Sequence, residues 1–177
     1  MGKEMHGSAL GRETLQEMLS ATPPLVADMV DAAAQLQPNG IDFTVRGVAR
    51  FTSAGRIGQA ADDRVLPVPE GPLEPSPAGY WELTPGPYLV TYNEVVSLPR
   101  DVMALGRPRS SLGRCGVSVH TAVWDAGYSG RSQSLLVVYH PAGFRLGRNA
   151  RVMQLVFFRL DRPVGQGYAG AYQGENK

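Results

Sequence analysis

The stretch "GRPRSSLGRCG" sets Arg109, Ser110, Ser111 and Arg114 within six residues. Two guanidinium forks, two hydroxyls and the backbone N–H groups of a glycine-rich turn make a suitable cradle for a polyphosphate. On spacing alone the same residues also read as a turn whose serines bond their own backbone and whose arginines are solvated. Just downstream, "TAVWDAGYSG" carries Asp125 between a β-type run and a Gly-rich turn. A lone carboxylate beside bound phosphates would stay ionised and could orient or deprotonate a water. Taken by itself, Asp before Ala-Gly reads more readily as a turn former. Tyr128 follows three residues later, at a distance where its ring could pack on a sugar or base, or sit on a barrel wall.

Other chemistries find less support. His6, His120 and His140 do not show metal-ligand spacing, and His120 alone reads as a structural hydrogen bonder. Cys115, the one cysteine, can form neither an intrachain disulfide nor a cysteine-based zinc site alone. It reads as a small buried apolar filler, and a reducing, cytoplasmic setting suits it. No stretch is apolar enough to span a membrane. "MGKEMHGSAL" lacks an apolar core, so no signal peptide is expected. Stacking aromatics interleaved with arginine are sparse, which weighs against nucleic-acid binding.

Charge is unevenly spread. Residues 1–99 carry six Lys/Arg against twelve Asp/Glu, while residues 100–162 carry ten Arg and three acids, Asp101, Asp125 and Asp161. The second half therefore suits an anionic ligand, and its guanidiniums suit phosphate oxygens. A genome rich in Arg codons would also explain the exposed arginines as a group.

The elements that must position these residues are mainly β. Leu15, Met18 and Leu19 fall at helical spacing, predicting a short N-terminal helix over 10–22, stopped by Pro23 and Pro24. "PLVADMVDAAAQLQPNG" reads as an extended piece, then a short turn of helix. "IDFTVRGVARFT" alternates and is rich in β-branched and aromatic types. Residues 59–79, with five prolines, read as a surface loop. "YWELTPGPYLVTYNEVVSLP" reads as two strands, and "VSVHTAVW", "SQSLLVVYH" and "ARVMQLVFFRL" as three more. The segment 164–177, "VGQGYAGAYQGENK", has no apolar periodicity and is either disordered or folded over something. No repeat is found. One domain over 1–177 is expected, mainly β, a sandwich or barrel of jelly-roll type.

Taken together, "RSSLGRCG…VHTAVWDAGYSG" resembles the nucleotide-binding motifs of the dUTPase and dCTP deaminase superfamily, closest to its archaeal-type dUTPase branch. "LQPNGIDFTV" is similar to the family's first motif, with Asp42 in the acid position. "GRNARVMQLVFFRL" is similar to a motif whose glutamine, here Gln154, touches phosphates. "YAGAYQG" resembles a segment that closes over substrate. The resemblance covers the chain from about residue 10 onward. It implies a distorted jelly-roll-like β-barrel, a homotrimer with active sites at subunit interfaces, and Mg²⁺ held mainly by the triphosphate and water. Arg109, Ser110, Ser111 and Arg114 would hold phosphates. Thr121, Ala122 and Val123 would read the base mainly through backbone groups. Tyr128 would lie against the deoxyribose and crowd out a 2′-hydroxyl. Asp125 would activate the attacking water. Tyr168, Tyr172 and Gln173 would belong to a flexible closing tail.

The superfamily holds two chemistries. Deamination of cytosine needs an acid near the base, a glutamate that the resemblance would place at about Leu135. Residues 126–160 contain no Asp or Glu, so no small register error supplies one. The zinc route is closed to a chain with one cysteine. Hydrolysis of dUTP to dUMP and pyrophosphate is therefore the leading expectation. A dCTP deaminase or bifunctional enzyme remains as the alternative, with Glu82 or Glu94 reaching the base, and a non-catalytic nucleotide-binding barrel stands behind it. The chain departs from the family pattern at Ala171, often a cation, and at Glu175, often Gln; an acid near a triphosphate is unexpected. Trp124 replaces an aliphatic residue and is expected to pack under the hairpin.

Overall fold

The computed structural model describes residues 8–177; His6 lies outside them. The main sheet is antiparallel throughout. Its strands run in the order Val123–Trp124, Val102–Pro108, Arg151–Arg159, Gly40–Arg50, Gly86–Tyr92, Gln133–Val138 and Val117–His120. Laid flat at about 4.8 Å per step, its first and last strands would stand roughly 29 Å apart. Yet only Thr121 and Ala122 join them, and that link reaches at most about 11 Å. The sheet must therefore curl until its two edges meet. Sequence periodicity reads "VSVHTAVW" as one strand; the structure breaks it at this link, because each half pairs with a different edge.

The predicted β-barrel class is borne out. The inward faces of the curl carry Phe43, Tyr92, Leu136, Met153, Leu155 and Phe157, all fully buried. Phe43 and Tyr92 meet edge to face at 5.5 Å, a geometry favoured by the ring quadrupoles. The Gly40–Arg50 strand is buried on both faces in its first half, so its polar residues Asp42 and Thr44 also lie inside. The chain before this strand covers them. Its helix, Arg12–Leu19, sits inside the expected bounds and buries Leu15. A single turn, Ala32–Gln35, is capped by the Asp31 carboxylate accepting from the Ala34 N–H at 3.1 Å.

The expected surface loop over 59–79 is present but begins earlier, at residue 51 where the Gly40–Arg50 strand ends, and is crossed by two isolated bridges, Arg50 to Glu70 and Arg56 to Val65. The strands Val102–Pro108 and Phe144–Gly147 have no counterpart in the sequence reading, and the two strands expected over "YWELTPGPYLVTYNEVVSLP" are three, Tyr80–Leu83, Gly86–Tyr92 and Val95–Ser97. Val102–Pro108 ends in Gly-Arg-Pro, which spoils the alternation. It is held by long pairing, Val102 with Arg159 through Pro108 with Met153. Tertiary pairing here outweighs local propensity.

Candidate active site

The phosphate-type stretch begins where the Val102–Pro108 strand ends. Arg109 donates its N–H to the Val152 carbonyl at 3.0 Å, and Ser110–Arg114 then makes a short helical turn. Leu112 is buried beneath it, while Ser110, Ser111 and Arg114 face outward. Cys115 is exposed beside them, which corrects the buried-filler expectation: the turn needs only Leu112 as its anchor.

Arg109 is not a loose surface cation. Its Nε lies 3.3 Å from the Asp42 carboxylate, and Arg151 Nη1 lies 3.3 Å from the same oxygen. Arg151 also donates to the Ala34 carbonyl at 2.6 Å. Burial raises the Asp42 carboxyl above its ordinary range, and the two guanidiniums oppose that rise. Gln154 pairs across the ladder with Asp42 on one side and Arg107 on the other. The cradle, Gln154 and Asp42 thus share one end of the barrel.

Asp125 and Tyr128 stand elsewhere on the same chain. Trp124 pairs with Ala104, so Asp125 lies near the start of the Val102–Pro108 strand and the cradle follows its far end. From Met103, the position opposite Asp125, to Arg109 is six residues of extended chain, about 20 Å along the strand. One chain therefore does not bring Asp125 onto its own cradle. Thr121 and Ala122 lie outside any strand. Thr121 Oγ1 donates to the Gly106 carbonyl at 3.3 Å, while Ala122 and Val123 are exposed.

Asp125 is exposed at the start of a tight turn closed by the Tyr128 N–H donating to its carbonyl at 3.0 Å. Trp124 is buried under the hairpin, as expected. Its indole Nε1–H donates to Ser132 Oγ at 2.6 Å; Ser132 Oγ meets the Tyr128 hydroxyl at 3.0 Å; that hydroxyl donates to Glu175 Oε1 at 2.9 Å. Indole can only donate and carboxylate can only accept, so the hydroxyls between them point in one direction. Tyr128 is only 5% exposed, and burial pushes its hydroxyl pKa up. Burial also raises the Glu175 carboxyl, against the Tyr128 hydrogen bond that favours its charged form.

The C-terminal segment lies over this hairpin of its own chain. Tyr168 donates its N–H to the Ala126 carbonyl at 2.8 Å and sets its ring edge-on to Tyr128 at 5.7 Å. Gln173 accepts from the Ser129 N–H at 2.9 Å and donates to the Gly127 carbonyl at 3.0 Å. Tyr172 stays exposed. Gly127, at φ +86°, admits the segment closely: a Cβ there would stand 2.7 Å from Gly167 Cα.

The acids named for a deaminase are engaged elsewhere. Glu94, 0% exposed, accepts from Thr44 N–H at 3.0 Å, Thr44 Oγ1 at 2.5 Å and Gln35 Nε2 at 2.7 Å. Glu82 accepts from Arg145 Nε at 2.8 Å. Leu135 sits mid-strand opposite His120 and Leu89. Sequence reasoning missed Arg151 and Ser132. Arg151 had one signal, its place in the Gln154 motif; Ser132 had none, since its partners are set by the hairpin's return.

The chain is thus a curled antiparallel barrel with the Arg109–Arg114 stretch at one end and the Asp125–Tyr128 hairpin at the other. The dCTP deaminase-like family model matches residues 9–160, and the chain belongs to that family. A probable deoxyuridine 5′-triphosphate nucleotidohydrolase of Methanosarcina mazei is 46% identical over 167 residues, covering 94% of this chain and 97% of that protein. One of the same description from Archaeoglobus fulgidus is 49% identical over 153 residues, 86% of this chain and 88% of that one. Among solved structures, the 2′-deoxycytidine 5′-triphosphate deaminase of Agrobacterium tumefaciens superposes with a TM-score of 0.64 at 21% identity. That match covers 88% of this chain and 49% of the deaminase, and speaks for the fold.

Proposed function

We propose that this chain is a dUTP diphosphatase, hydrolysing dUTP to dUMP and pyrophosphate. The observation that carries the reading is near-full-length likeness to chains named probable dUTP nucleotidohydrolase, in a sequence whose residues 126–160 hold no acid for deamination. The buried, fully bonded Glu94 and the Arg145-paired Glu82 give the deaminase alternative no further support.

In this reading Arg109, Ser110, Ser111 and Arg114 bind the phosphates, and Asp42 aims Arg109 from below. Gln154 adds a contact at the same end. Asp125, exposed on its turn, takes a proton from the water that attacks the α-phosphorus. The bond to the bridging oxygen breaks, and the leaving pyrophosphate is stabilised by the guanidiniums. The donor set suits Mg²⁺, since the exposed Asp125 carboxylate and the serine hydroxyls are hard oxygen donors. The metal would be held mainly by the triphosphate and water, and would neutralise developing charge there. Tyr128 packs on the deoxyribose, and Thr121, Ala122 and Val123 read the base through backbone groups, of which those of Thr121 and Ala122 lie outside any strand. The separation of about 20 Å along the strand between Asp125 and the cradle supports a shared site, one chain supplying the cradle and another the hairpin. A homotrimer would close such a ring of sites. Among the described residues no helix is long and apolar enough to cross a membrane; a cytoplasmic setting is proposed from the lone thiol.

The test is incubation of the protein with Mg²⁺ and dUTP, dCTP, dTTP or UTP, scored for pyrophosphate and ammonia. Pyrophosphate from dUTP, with no ammonia from dCTP, is expected. Ammonia from dCTP would refute the argument from the missing acid. Neither product from any nucleotide would bring a non-catalytic binder forward.

A further inference from the structure

Glu175 belongs to a segment that could simply cover the barrel, yet its carboxylate reaches the one hydroxyl that terminates the Tyr128 ring. We infer that Glu175 is a positioning residue for Tyr128, and that through it the C-terminal segment sets discrimination between 2′-deoxyribonucleotides and ribonucleotides. The inference rests on the reading that Tyr128 faces the sugar of a nucleoside triphosphate.

A sugar-edge clash with a 2′-hydroxyl works only if the ring that delivers it cannot yield. The Tyr128 ring packs in a T-shaped pair with Tyr168 and is held at its tip from two sides, by Ser132 Oγ at 3.0 Å and Glu175 Oε1 at 2.9 Å. Ser132 is itself fixed by the Trp124 indole. Because the relay runs one way from indole to carboxylate, removing its terminal acceptor leaves the Tyr128 proton without this partner. The glutamate is also built in by its backbone. Its carbonyl accepts from the Arg131 N–H at 2.9 Å, and the Gly174 N–H donates to the Ser129 carbonyl at 2.7 Å. Gly130 leaves the room required: a Cβ there would stand 2.6 Å from the Tyr128 hydroxyl and 3.2 Å from Glu175 Cγ. The acid that looked misplaced near a triphosphate thus faces a phenol.

The experiment measures kcat and KM for dUTP and UTP, wild type first. Wild-type hydrolysis of dUTP is expected; its absence would overturn the functional reading and this inference with it. Given that activity, Glu175→Ala should lower the ratio of kcat/KM for dUTP over UTP by about tenfold, the scale of one hydrogen bond to a charged group. Glu175→Gln, which keeps an acceptor oxygen, should restore most of it. Tyr128→Phe should lower the ratio similarly, and adding Glu175→Ala to it should change nothing more. An unchanged ratio in Glu175→Ala, or additive losses in the double variant, would overturn the inference while leaving dUTP hydrolysis standing. Should Glu175→Ala fail to fold, Glu175→Gln and Tyr128→Phe decide the matter: unchanged selectivity in Tyr128→Phe would sink it.

Discussion

Ser132→Ala tests the hydrogen-bond relay under the hairpin without touching an exposed group. Ser132 is buried, and its hydroxyl is the acceptor for the Trp124 indole at 2.6 Å. Removing it leaves an indole N–H in a packed interior with that partner gone. An unsatisfied buried donor costs about 1–3 kcal/mol. Tyr128 keeps Glu175 as an acceptor, so its own loss is smaller, and the total is about 2 kcal/mol. For a chain of this size with an m-value of about 2 kcal/mol/M in urea, the unfolding midpoint should fall by about 1 M. The assay is urea unfolding at one fixed protomer concentration, since any assembly would shift the midpoint by mass action. Trp124→Phe and the double variant complete a cycle. Loss of both partners leaves nothing unsatisfied, so the two changes should couple by at least about 1 kcal/mol. A Ser132→Ala midpoint equal to wild type, or a strictly additive cycle, would refute the reasoning.

Asp125→Asn should lower dUTP turnover by at least about 10²-fold, the lower end for a positioned general base, with nucleotide affinity kept in equilibrium binding; near-wild-type turnover would remove Asp125 from the chemistry. Asp42 has a raised native pKa, so the folded chain binds its proton more tightly than the unfolded chain. Its contribution to stability is therefore largest in acid and falls as pH rises from 3.8 through the raised native value. Asp42→Asn should remove that component, visible as urea midpoints that diverge from wild type across the window; parallel curves would contradict it. Gly127→Ala imposes a left-handed conformation costing about 1–2 kcal/mol and a Cβ 2.7 Å from Gly167 Cα. Amide exchange at Gly174 and Arg131 should quicken as the C-terminal segment lifts, and unchanged protection there would argue against the docking.

The sequence by itself determined the class of fold and offered a candidate set of chemistry-bearing residues. Alternation in "IDFTVRGVARFT" and "ARVMQLVFFRL" specifies strands, because period-two burial is a local property of the chain. Residue type and spacing leave Arg109, Ser110, Ser111, Arg114 and Asp125 open between a phosphate site and ordinary turns, and only the ordered set of motifs singles them out; the missing acid across 126–160 is read directly from the chain. What tertiary structure alone decided are matters of who meets whom. The break at Thr121–Ala122 follows from sheet closure, which no local pattern encodes. Val102–Pro108 is a strand because Arg151–Arg159 pairs with it. Asp42, an acid in an apparently ordinary strand, is the buried anchor of Arg109 and Arg151 because strand pairing and the turn after Pro108 bring both guanidiniums to it. Glu175 looked out of place beside phosphates, and its partner is a tyrosine hydroxyl 47 residues away in sequence. Hydrogen bonds and ion pairs between distant segments depend on register and curl, and these are fixed by packing of the whole chain rather than by any stretch of it.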